Sequence, residues 1–438
     1  MNIAIVGFAL EGKSSYDYWK DKGNITILDA NERVETPNGV KVKSGADYLS
    51  NIDDFDLIVR TAGARPQDLI KASGNEDVTQ KITTNTNEFF RVCPTKNIIG
   101  VTGTKGKGTT SALIAKMLEA CGKQTHFGGN IGSAPLNLLK DNIQIDDWIV
   151  LELSSFQLVD LNYSPHIGVC LMVVPEHLNW HPDVDSYYKA KSMMFFHQTK
   201  DDVAIYLSNN PESERIASSG NGQKIPFFIK PGAIIDDGFV AIDDQKICHV
   251  SELGLIGKHN WQNVCAALTA VWQIDKNIKA IKEVLINFKG LEHRLELVET
   301  VKGISFYDDS FGTTPETAIV AIEAFDQPKV IILGGSDKGS DYKKLATSIK
   351  NGKIRTAVLI GDQGPRIKAA LDAIGFSDYI QGGNDMNSIV ETAFSVAKPG
   401  DVVLLSPACA SFDMFANYKD RGDQFKQAVR EFALRAAQ

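Results

Sequence analysis

The fold is decided by one stretch in the first quarter of the chain, which reads Asn97-Ile98-Ile99-Gly100-Val101-Thr102-Gly103-Thr104-Lys105-Gly106-Lys107-Gly108-Thr109-Thr110. Its apolar half predicts a buried strand, which a glycine-rich turn and a helical pattern follow. Glycine lets backbone N–H groups approach an anion closely, and the N-terminus of the next helix adds positive potential. The stretch therefore predicts a phosphate-binding loop for ATP, with contacts from Gly103, Thr104, Lys105, Gly106, Lys107, Gly108, Thr109 and Thr110.

This loop departs in two places from the general phosphate-loop pattern G-x-x-x-x-G-K-[ST]. Val101 stands where the first glycine would fall, and Gly108 follows the lysine. On this stretch alone, a glycine turn that only joins a strand to a helix stays an alternative.

Length and composition limit the class of protein. At about 100–200 residues per domain, the 438 residues predict three domains. The net charge of −8 is spread along the chain, so we expect no nucleic-acid partner. The six cysteines form no C-x-x-C pair and suit reduced, buried thiols. Such thiols suit a cytoplasmic protein. Because no run approaches the roughly 18–20 apolar residues of a membrane span, we expect no membrane contact. We also expect a monomer.

Short apolar runs alternate with glycine turns and helical patterns along the chain, which predicts an α/β fold. We predict a Rossmann-like N-terminal domain over residues 1–93 that binds substrate and a central P-loop ATPase-like domain with a mostly parallel sheet over 94–289. A C-terminal Rossmann-like α/β domain over 290–438 follows. In this third domain, loops 334–338, 361–362 and 406–411 follow strands, at the sheet edge where open α/β sheets bind ligands.

The first turn of the chain, which starts at Gly7, lacks the full G-x-G-x-x-G spacing of a dinucleotide site. Asp29 ends the second predicted strand, where an acid that binds ribose would lie. A nicotinamide cofactor is therefore weakly supported, and both residues are candidates for substrate binding.

A second polar run follows a predicted strand and reads Leu151-Glu152-Leu153-Ser154-Ser155-Phe156-Gln157-Leu158. Mg²⁺ prefers one or two protein carboxylates together with phosphate oxygens and water, so Glu152 is a candidate ligand. A strand-end glutamate paired with a lysine stays an alternative on spacing alone.

Five other positions are ambiguous on spacing alone. His177 precedes a helical pattern in which Lys191 would ordinarily lie on a solvated face. Asn263 either bonds an adenine edge or caps a helix. Arg294 could clamp phosphates, and Asp309 could hold a ribose hydroxyl or a helix terminus.

The order and spacing of these elements resemble the Mur ligase family over the whole chain. The resemblance rests on the phosphate loop, the run 151–158 and these further runs: Gly128-Gly129-Asn130-Ile131-Gly132, His177-Leu178-Asn179-Trp180-His181, Ala190-Lys191, Gly257-Lys258-His259-Asn260-Trp261-Gln262-Asn263, Gly290-Leu291-Glu292-His293-Arg294 and Leu405-Ser406-Pro407-Ala408-Cys409-Ala410-Ser411-Phe412-Asp413.

The resemblance implies an ATP-dependent ligase that adds D-glutamate to UDP-N-acetylmuramoyl-L-alanine through an acyl phosphate, in peptidoglycan precursor synthesis. It implies catalytic roles for Lys107, Glu152, His177 and Lys191. It also implies two Mg²⁺ ions, held by Thr109, Glu152, His177 and Lys191. Lys191 matches the family's carbamylated lysine, a modification that turns a cation into an anion suited to a metal.

The resemblance further implies that Asn263 reads adenine and that Arg294 and Asp309 position ATP. The implied contacts with the other substrates are Gly7, Asp29, Asn130, Ser155, Gln157, Thr313, Lys338, Ser411 and Tyr418. The last four match positions that hold the incoming glutamate.

The chain departs from the family pattern at several positions. Phe311 stands where related sequences usually carry a lysine, and Tyr418 stands where phenylalanine is common. The run Arg60-Thr61-Ala62-Gly63-Ala64 replaces the usual Ser-Pro-Gly-Ile. Three alternatives therefore stay open: the same chemistry with L-glutamate or another amino acid, a folylpolyglutamate synthase, and a nucleotide-binding paralogue without turnover.

Overall fold

The computed structural model describes residues 1–337 and 339–436. The chain forms two compact units. Unit 1 comprises Met1–Leu253 and Asn260–Ile286, and unit 2 comprises Gly254–His259 and Asn287–Gln438. Lys338, one of the expected glutamate contacts, lies outside the described residues. The domain boundaries at 93/94 and 289/290 stay predictions.

Unit 1 begins with five strands: β1 (Asn2–Val6), β2 (Asn24–Asp29), β3 (Lys41–Ser44), β4 (Leu57–Arg60) and β5 (Ile82–Thr84). They form a parallel sheet in the order β3-β2-β1-β4-β5. The helices of this part are α1 (Leu10–Trp19), α2 (Pro66–Ser73) and α3 (Asn85–Val92), with 3₁₀ turns at Ile52–Asp54 and Glu76–Lys81.

The second sheet of unit 1 has the strands β6 (Ile98–Thr102), β7 (Thr125–Gly129), β8 (Trp148–Glu152), β9 (Ile167–Cys170), β10 (Val203–Leu207) and β11 (Gln223–Phe227). All pairs are parallel, in the order β11-β10-β9-β6-β8-β7. The helices are α4 (Lys107–Ala120), α5 (Pro135–Leu138), α6 (Ser155–Leu158), α7 (Val184–Phe196) and α8 (Pro211–Ala217), with a 3₁₀ turn at Leu139–Asp141.

Three antiparallel strands follow: β12 (Ile234–Asp236), β13 (Phe239–Ile242) and β14 (Gln245–His249). After a 3₁₀ turn at Val250–Glu252 come α9 (His259–Trp272) and α10 (Ile278–Asn287).

Unit 2 contains the strands β15 (Glu296–Val301), β16 (Ile304–Asp308), β17 (Lys329–Gly334), β18 (Ile354–Ile360), β19 (Tyr379–Gln381) and β20 (Val402–Leu405). Their order is β15-β16-β20-β17-β18-β19, and only the β15–β16 pair is antiparallel. The helices are α11 (Pro315–Glu323), α12 (Lys343–Asn351), α13 (Gly364–Asp372), α14 (Met386–Val396) and α15 (Tyr418–Ala436).

The α/β fold with mostly parallel sheets was predicted correctly. In unit 1 one hydrophobic cluster contains residues of both sheets, among them Ile5 of β1, Phe89 of α3 and Leu151 of β8. This shared core lies within unit 1. In unit 2 the two faces of the sheet carry separate clusters, around Leu333 on one face and Phe425 on the other.

All six cysteines are free thiols, four of them buried and two half-buried. Across residues 1–337 and 339–436, no helix is both long and apolar enough to cross a membrane.

Candidate active site

The predicted phosphate loop joins β6 to α4. Gly103 and Gly106 have φ angles of +148° and +85°, which side-chain-bearing residues rarely adopt, so glycine is required at both positions. Lys107 is the first residue of α4, and its Nζ donates to the carbonyl oxygens of Gly103 and Thr104, each at 3.2 Å. The charge of Lys107 therefore lies at the loop, as expected from the sequence.

Asn263 reaches this loop from inside helix α9, which begins at His259, so it does not cap the helix. Its Nδ2 donates to Oδ1 of Asn260 at 2.8 Å, and its Oδ1 lies 3.5 Å from Oγ1 of Thr110. A Cβ atom at Gly106 would lie 2.2 Å from Asn263 Oδ1. The loop and the predicted adenine contact are thus packed together.

Gly106→Ala should weaken ATP binding by on the order of tenfold, because the added methyl group displaces the Asn263 side chain from the loop. Gly122→Ala is the matched control, since Gly122 has a similar φ of +80° but open space around its Cβ position. We expect both variants to lose about 1 kcal/mol of stability from backbone strain. Only Gly106→Ala should change the Kd for ATP in titration calorimetry, and equal Kd values for the two variants would contradict this.

Glu152 is the last residue of β8 and pairs in register with Val101 of β6, next to the start of the phosphate loop. The side chain is buried, with 3% of its surface exposed. Its Oε1 accepts from Asn130 Nδ2 at 3.2 Å, whereas its buried Oε2 accepts no hydrogen bond from any residue in the described ranges. An orphaned carboxylate oxygen is costly without a partner, and it fits a divalent cation.

Lys191 lies on α7 and is only 2% exposed, so the interpretation from spacing alone, a surface lysine, was wrong. The helix packs its lysine inward, where Nζ donates to the carbonyl of Gly103 at 2.8 Å and lies 4.7 Å from the centroid of the Tyr187 ring. Burial, reinforced by the positive charge of Lys107, lowers the pKa of the Lys191 ammonium to about 7. A large fraction of this amine is therefore neutral near pH 7.

Two histidines flank the same region. His177 has a φ of +58°, and its ring packs against that of Phe156 with centroids 4.8 Å apart and planes at 55°. Its Nε2 lies 3.4 Å from Oε2 of Glu176. Burial lowers the pKa of His177, with Glu176 opposing the shift. The His181 ring stacks on Phe156 with centroids 5.8 Å apart, and burial lowers the pKa of His181 to about 4. Both imidazoles are therefore favoured in the neutral form, which is the form that binds metals.

Three residues at this site were missed as site residues from the sequence. The hydroxyl of Tyr187 lies 2.9 Å from Oγ1 of Thr104, and Glu176 pairs with Lys105 at 3.0 Å. His181 Nε2 lies 2.9 Å from Oγ of Ser155, a predicted substrate contact. Tyr187 could have been found, because it precedes Lys191 by four residues and so shares its helix face.

The remaining expected substrate contacts of unit 1 have local structural partners. The Asp29 carboxylate accepts from Phe8 N at 2.7 Å and from Asn31 N at 2.8 Å, which fixes the turn at Gly7. Gln157 Oε1 accepts from Ser154 N at 3.1 Å and so caps α6. Their roles in substrate binding stay predictions.

Unit 2 brings together the three loops that were expected at the carboxyl edge of its sheet. Gly334 N donates to the carbonyl of Pro407, and Ser336 N donates to that of Ala410, both at 2.9 Å. Asp362 N donates to Oδ2 of Asp413 at 2.9 Å. The loops therefore support one another at the edge where a ligand was predicted.

Within this unit, the expected glutamate contacts occupy neighbouring turns. Thr313 N donates to the carbonyl of Phe311 at 2.9 Å, and the carbonyl of Tyr418 accepts from Ser310 Oγ at 2.7 Å. Ser411 is buried, and its carbonyl accepts from Phe415 N at 2.8 Å. Their contact with an amino acid stays a prediction.

Arg421 was also missed, since a cation in an amphipathic C-terminal helix ordinarily lies in solvent. Its guanidinium is fully buried and donates to Oγ and to the carbonyl of Ser310, each at 2.9 Å. It also donates to the carbonyls of Cys409 and Ala410, at 3.2 and 3.3 Å. Arg421 thus joins the loop after β16 to the loop after β20.

Asp309 is buried in unit 2, where Oδ2 accepts from Ser406 Oγ at 2.7 Å and Oδ1 accepts from Leu295 N at 3.3 Å. Burial raises its pKa to about 7, against the lowering effects of Ser406 and Arg294. The Asp309 carboxyl is therefore partly protonated near neutral pH. Its charge should respond to small changes in pH or in the charges around it.

The buried Asp309 should make the free energy of unfolding depend on pH. Between its unfolded pKa near 3.8 and its folded pKa of about 7, the folded state keeps a proton that the unfolded state has released. Stability from this group is therefore full below pH 3.8 and is lost as the pH rises through 7, by about 4 kcal/mol. Asp309→Asn should remove this slope of the free energy of unfolding against pH, measured by denaturant titrations between pH 4 and 8.

Asp378→Asn is the control for charge, because Asp378 is exposed on the same unit. It should keep the slope of the unmodified protein. A slope that persists in Asp309→Asn would show that another group titrates in this range.

Two family profiles match separate parts of the chain. The profile of the Mur ligase middle domain matches residues 101–271, and that of the Mur ligase, glutamate ligase domain matches residues 293–409. The UDP-N-acetylmuramoylalanine–D-glutamate ligase of Clostridium kluyveri is 35% identical to the chain over 446 aligned residues, covering 98% of this chain and 96% of that protein.

Solved structures of similar fold include the UDP-N-acetylmuramate-alanine ligase MurC from Thermotoga maritima, with a TM-score of 0.61 and 15% identity. It covers 99% of this chain and 100% of its own. The MurF ligase of the same organism, solved with ADP, has a TM-score of 0.59 and 17% identity, covering 98% of this chain and 95% of its own. At these identities the likeness concerns the fold alone.

Proposed function

Because the chain belongs to the Mur ligase family, we propose that it is an ATP-dependent ligase that adds D-glutamate to UDP-N-acetylmuramoyl-L-alanine in peptidoglycan precursor synthesis. The observation that carries this proposal is the cluster at the end of β6. There the amine of Lys191 contacts the phosphate loop, and the carboxylate of Glu152 keeps a buried oxygen without a partner among the described residues. The proposed substrates are those in the name of the Clostridium kluyveri relative.

In the proposed reaction, the terminal carboxylate of the muramoyl substrate attacks the γ-phosphorus of ATP, which releases ADP and forms an acyl phosphate. The glutamate amine then attacks the acyl carbon, phosphate leaves, and the amine loses its proton as the amide forms. The loop N–H groups and Lys107 hold negative charge on ATP throughout. Asn263, Arg294 and Asp309 are the proposed contacts with the rest of ATP.

The donor set fits Mg²⁺, because the Glu152 carboxylate offers an unused oxygen and His177 favours a neutral imidazole. We propose Thr109, Glu152, His177 and a carbamylated Lys191 as the residues that hold two ions. When bound, Mg²⁺ neutralises charge on the transferred phosphoryl group. Carbamylation of Lys191 is supported by its burial at the loop and by the low pKa of its amine, since only a neutral amine adds to carbon dioxide.

For the muramoyl substrate we propose contacts with Gly7, Asp29, Asn130, Ser155 and Gln157, all in unit 1. For glutamate we propose Thr313, Lys338, Ser411 and Tyr418. All of these substrates are small molecules.

We also propose a cytoplasmic location, which the free thiols of all six cysteines support. We propose that the enzyme acts as a monomer.

The test is ADP release by the purified protein with ATP, Mg²⁺ and UDP-N-acetylmuramoyl-L-alanine, with D-glutamate, L-glutamate or other amino acids in parallel reactions. Turnover with D-glutamate alone is the expected result. Turnover with L-glutamate or another amino acid would keep the chemistry and reject the proposed amino acid. Absence of turnover with all of them would favour the folylpolyglutamate or non-catalytic alternatives.

L-Glutamate is the second candidate, because Phe311 and Tyr418 depart from the family pattern beside the proposed glutamate contact Thr313. The two stereoisomers present the same carboxylates to the loops and differ in the direction of the amine. The parallel reactions above separate them directly.

A further inference from the structure

Phe311 lies between two side chains of the proposed site in unit 2. The guanidinium carbon of Arg294 is 3.9 Å from the centroid of the Phe311 ring. The ring of Tyr418 meets that of Phe311 edge-on, with centroids 5.0 Å apart and planes at 84°. A guanidinium over an aromatic face is held by the negative potential of that face, and the edge-on contact fixes the ring in turn.

The backbone around these side chains is also fixed. Phe311 N donates to the carbonyl of His293 at 3.0 Å, so the residue next to Arg294 holds the turn that carries Phe311. His293 itself is buried, and its Nδ1 lies 2.7 Å from Oδ2 of Asp308. The backbone segments that carry Phe311 and Arg294 are therefore held together.

We propose that Phe311 is a positioning residue that holds the Arg294 guanidinium in one orientation for its proposed contact with ATP. The inference rests on the proposed role of Arg294 as an ATP contact. The Arg294 guanidinium lies over the Phe311 ring, and its positive charge also lowers the pKa of the buried carboxyl of Asp309. A change of its orientation should therefore alter both ATP affinity and the protonation of Asp309.

Phe311 stands where related sequences usually carry a lysine, and its contact with Arg294 suggests why a lysine would be unfavourable in this chain. A lysine at position 311 would bring an ammonium group close to the guanidinium that the ring now attracts, and two cations at that distance repel. In this chain the usual family residue should therefore act worse than a neutral one.

Three variants separate the aromatic face from simple packing. Phe311→Leu keeps an apolar side chain but removes the face, and we expect the Kd and KM for ATP to rise about fivefold to tenfold with a smaller change in kcat. Phe311→Tyr keeps the face and should stay within about twofold of the unmodified protein. Phe311→Lys should raise the Kd for ATP more than Phe311→Leu. Phe311→Met replaces the leucine variant if that variant does not fold.

The pathway through Arg294 is tested by a double-mutant cycle that uses ATP titration calorimetry and steady-state kinetics. If Phe311 acts through Arg294, Phe311→Leu should change the Kd by less than about twofold in an Arg294→Ala background. The proposal is overturned if Phe311→Leu binds ATP normally, if Phe311→Tyr is impaired as much as Phe311→Leu, or if the two effects add fully. An Arg294→Ala variant with normal ATP binding would instead reject the proposed role of Arg294.

Discussion

Lys191→Ala should reduce ligase turnover on the order of 10²–10³-fold, because it removes the buried group that contacts the phosphate loop and that we propose to hold Mg²⁺ as its carbamate. Short carboxylates such as acetate or formate should restore part of the activity, since the truncated side chain leaves room for an anion beside Gly103. The measurement is ADP release with and without added carboxylate. Rescue by carboxylates but not by alkylamines would show that an anion is needed at this position.

Lys189→Ala is the matched control, because Lys189 lies on the same helix and is exposed. It should keep full activity. A Lys191→Ala variant that retains turnover would reject both the metal role and the carbamate, whereas loss that no carboxylate rescues would leave only a role for the amine.

Although Lys191 is expected to support activity, its buried ammonium group should lower the free energy of unfolding. Burial lowers the pKa of Lys191 from 10.5 to about 7, so the unfolded state binds more protons between these values. The ammonium therefore opposes folding most strongly below pH 7, and the penalty fades as the pH rises toward 10.5. A lysine retained in spite of such a penalty is typical of a functional position.

The fold and the centre of the candidate site were accessible from the sequence because both depend on local patterns. The apolar run 98–102 and the glycines at 103 and 106 predicted the strand and loop that the structure contains. The edge of the sheet in unit 2 was equally predictable, since parallel strands bring their carboxyl ends together. Short strands with polar residues, such as Lys41–Ser44 and Thr125–Gly129, were missed because their hydrophobic signal is weak.

The sequence did not predict the burial of three charged residues, because their burial depends on contacts between segments distant in the chain. Spacing alone placed Lys191 in solvent, because the helical pattern does not say which face meets the phosphate loop. Arg421 and Arg60 were not predicted to be buried, since arginine is rarely found without exposure. Their partners are backbone carbonyls and a carboxylate that no local pattern connects to them.

Arg60 forms an ion pair in unit 1 with the partly buried carboxylate of Asp160. It lies on β4 with a fully buried side chain, and it holds both carboxylate oxygens of Asp160, at 2.9 and 2.5 Å. The same guanidinium donates to the carbonyls of Thr61 and Ala64, each at 3.0 Å, and to that of Phe156 at 3.1 Å. It therefore joins the loop after β4 to helix α6, which carries Ser155 and Gln157 into the proposed site.

Arg60→Met should lower the free energy of unfolding by about 3–5 kcal/mol, because it strands a partly buried carboxylate and three carbonyls that the guanidinium now satisfies. Arg65→Met is the matched control: Arg65 pairs with Asp68 while both side chains are more than 40% exposed, so that variant should lose less than about 1 kcal/mol. Urea titrations of the two variants measure the difference, and equal losses would mean that the Arg60 network adds no stability.

The Arg60 network also accounts for the departure at this loop, where the family's usual proline is absent. Proline restricts a loop by fixing φ, but it has no N–H to donate. Here Ala62 N donates to Oε2 of Glu11 at 2.7 Å, and the Arg60 guanidinium donates to the carbonyls of Thr61 and Ala64 in the same loop. If hydrogen bonds replace the proline in this way, Arg60→Met should also raise the KM for the muramoyl substrate, because Ser155 and Gln157 lie on α6, whose Phe156 carbonyl Arg60 holds. A stability loss with unchanged KM would restrict Arg60 to a structural role.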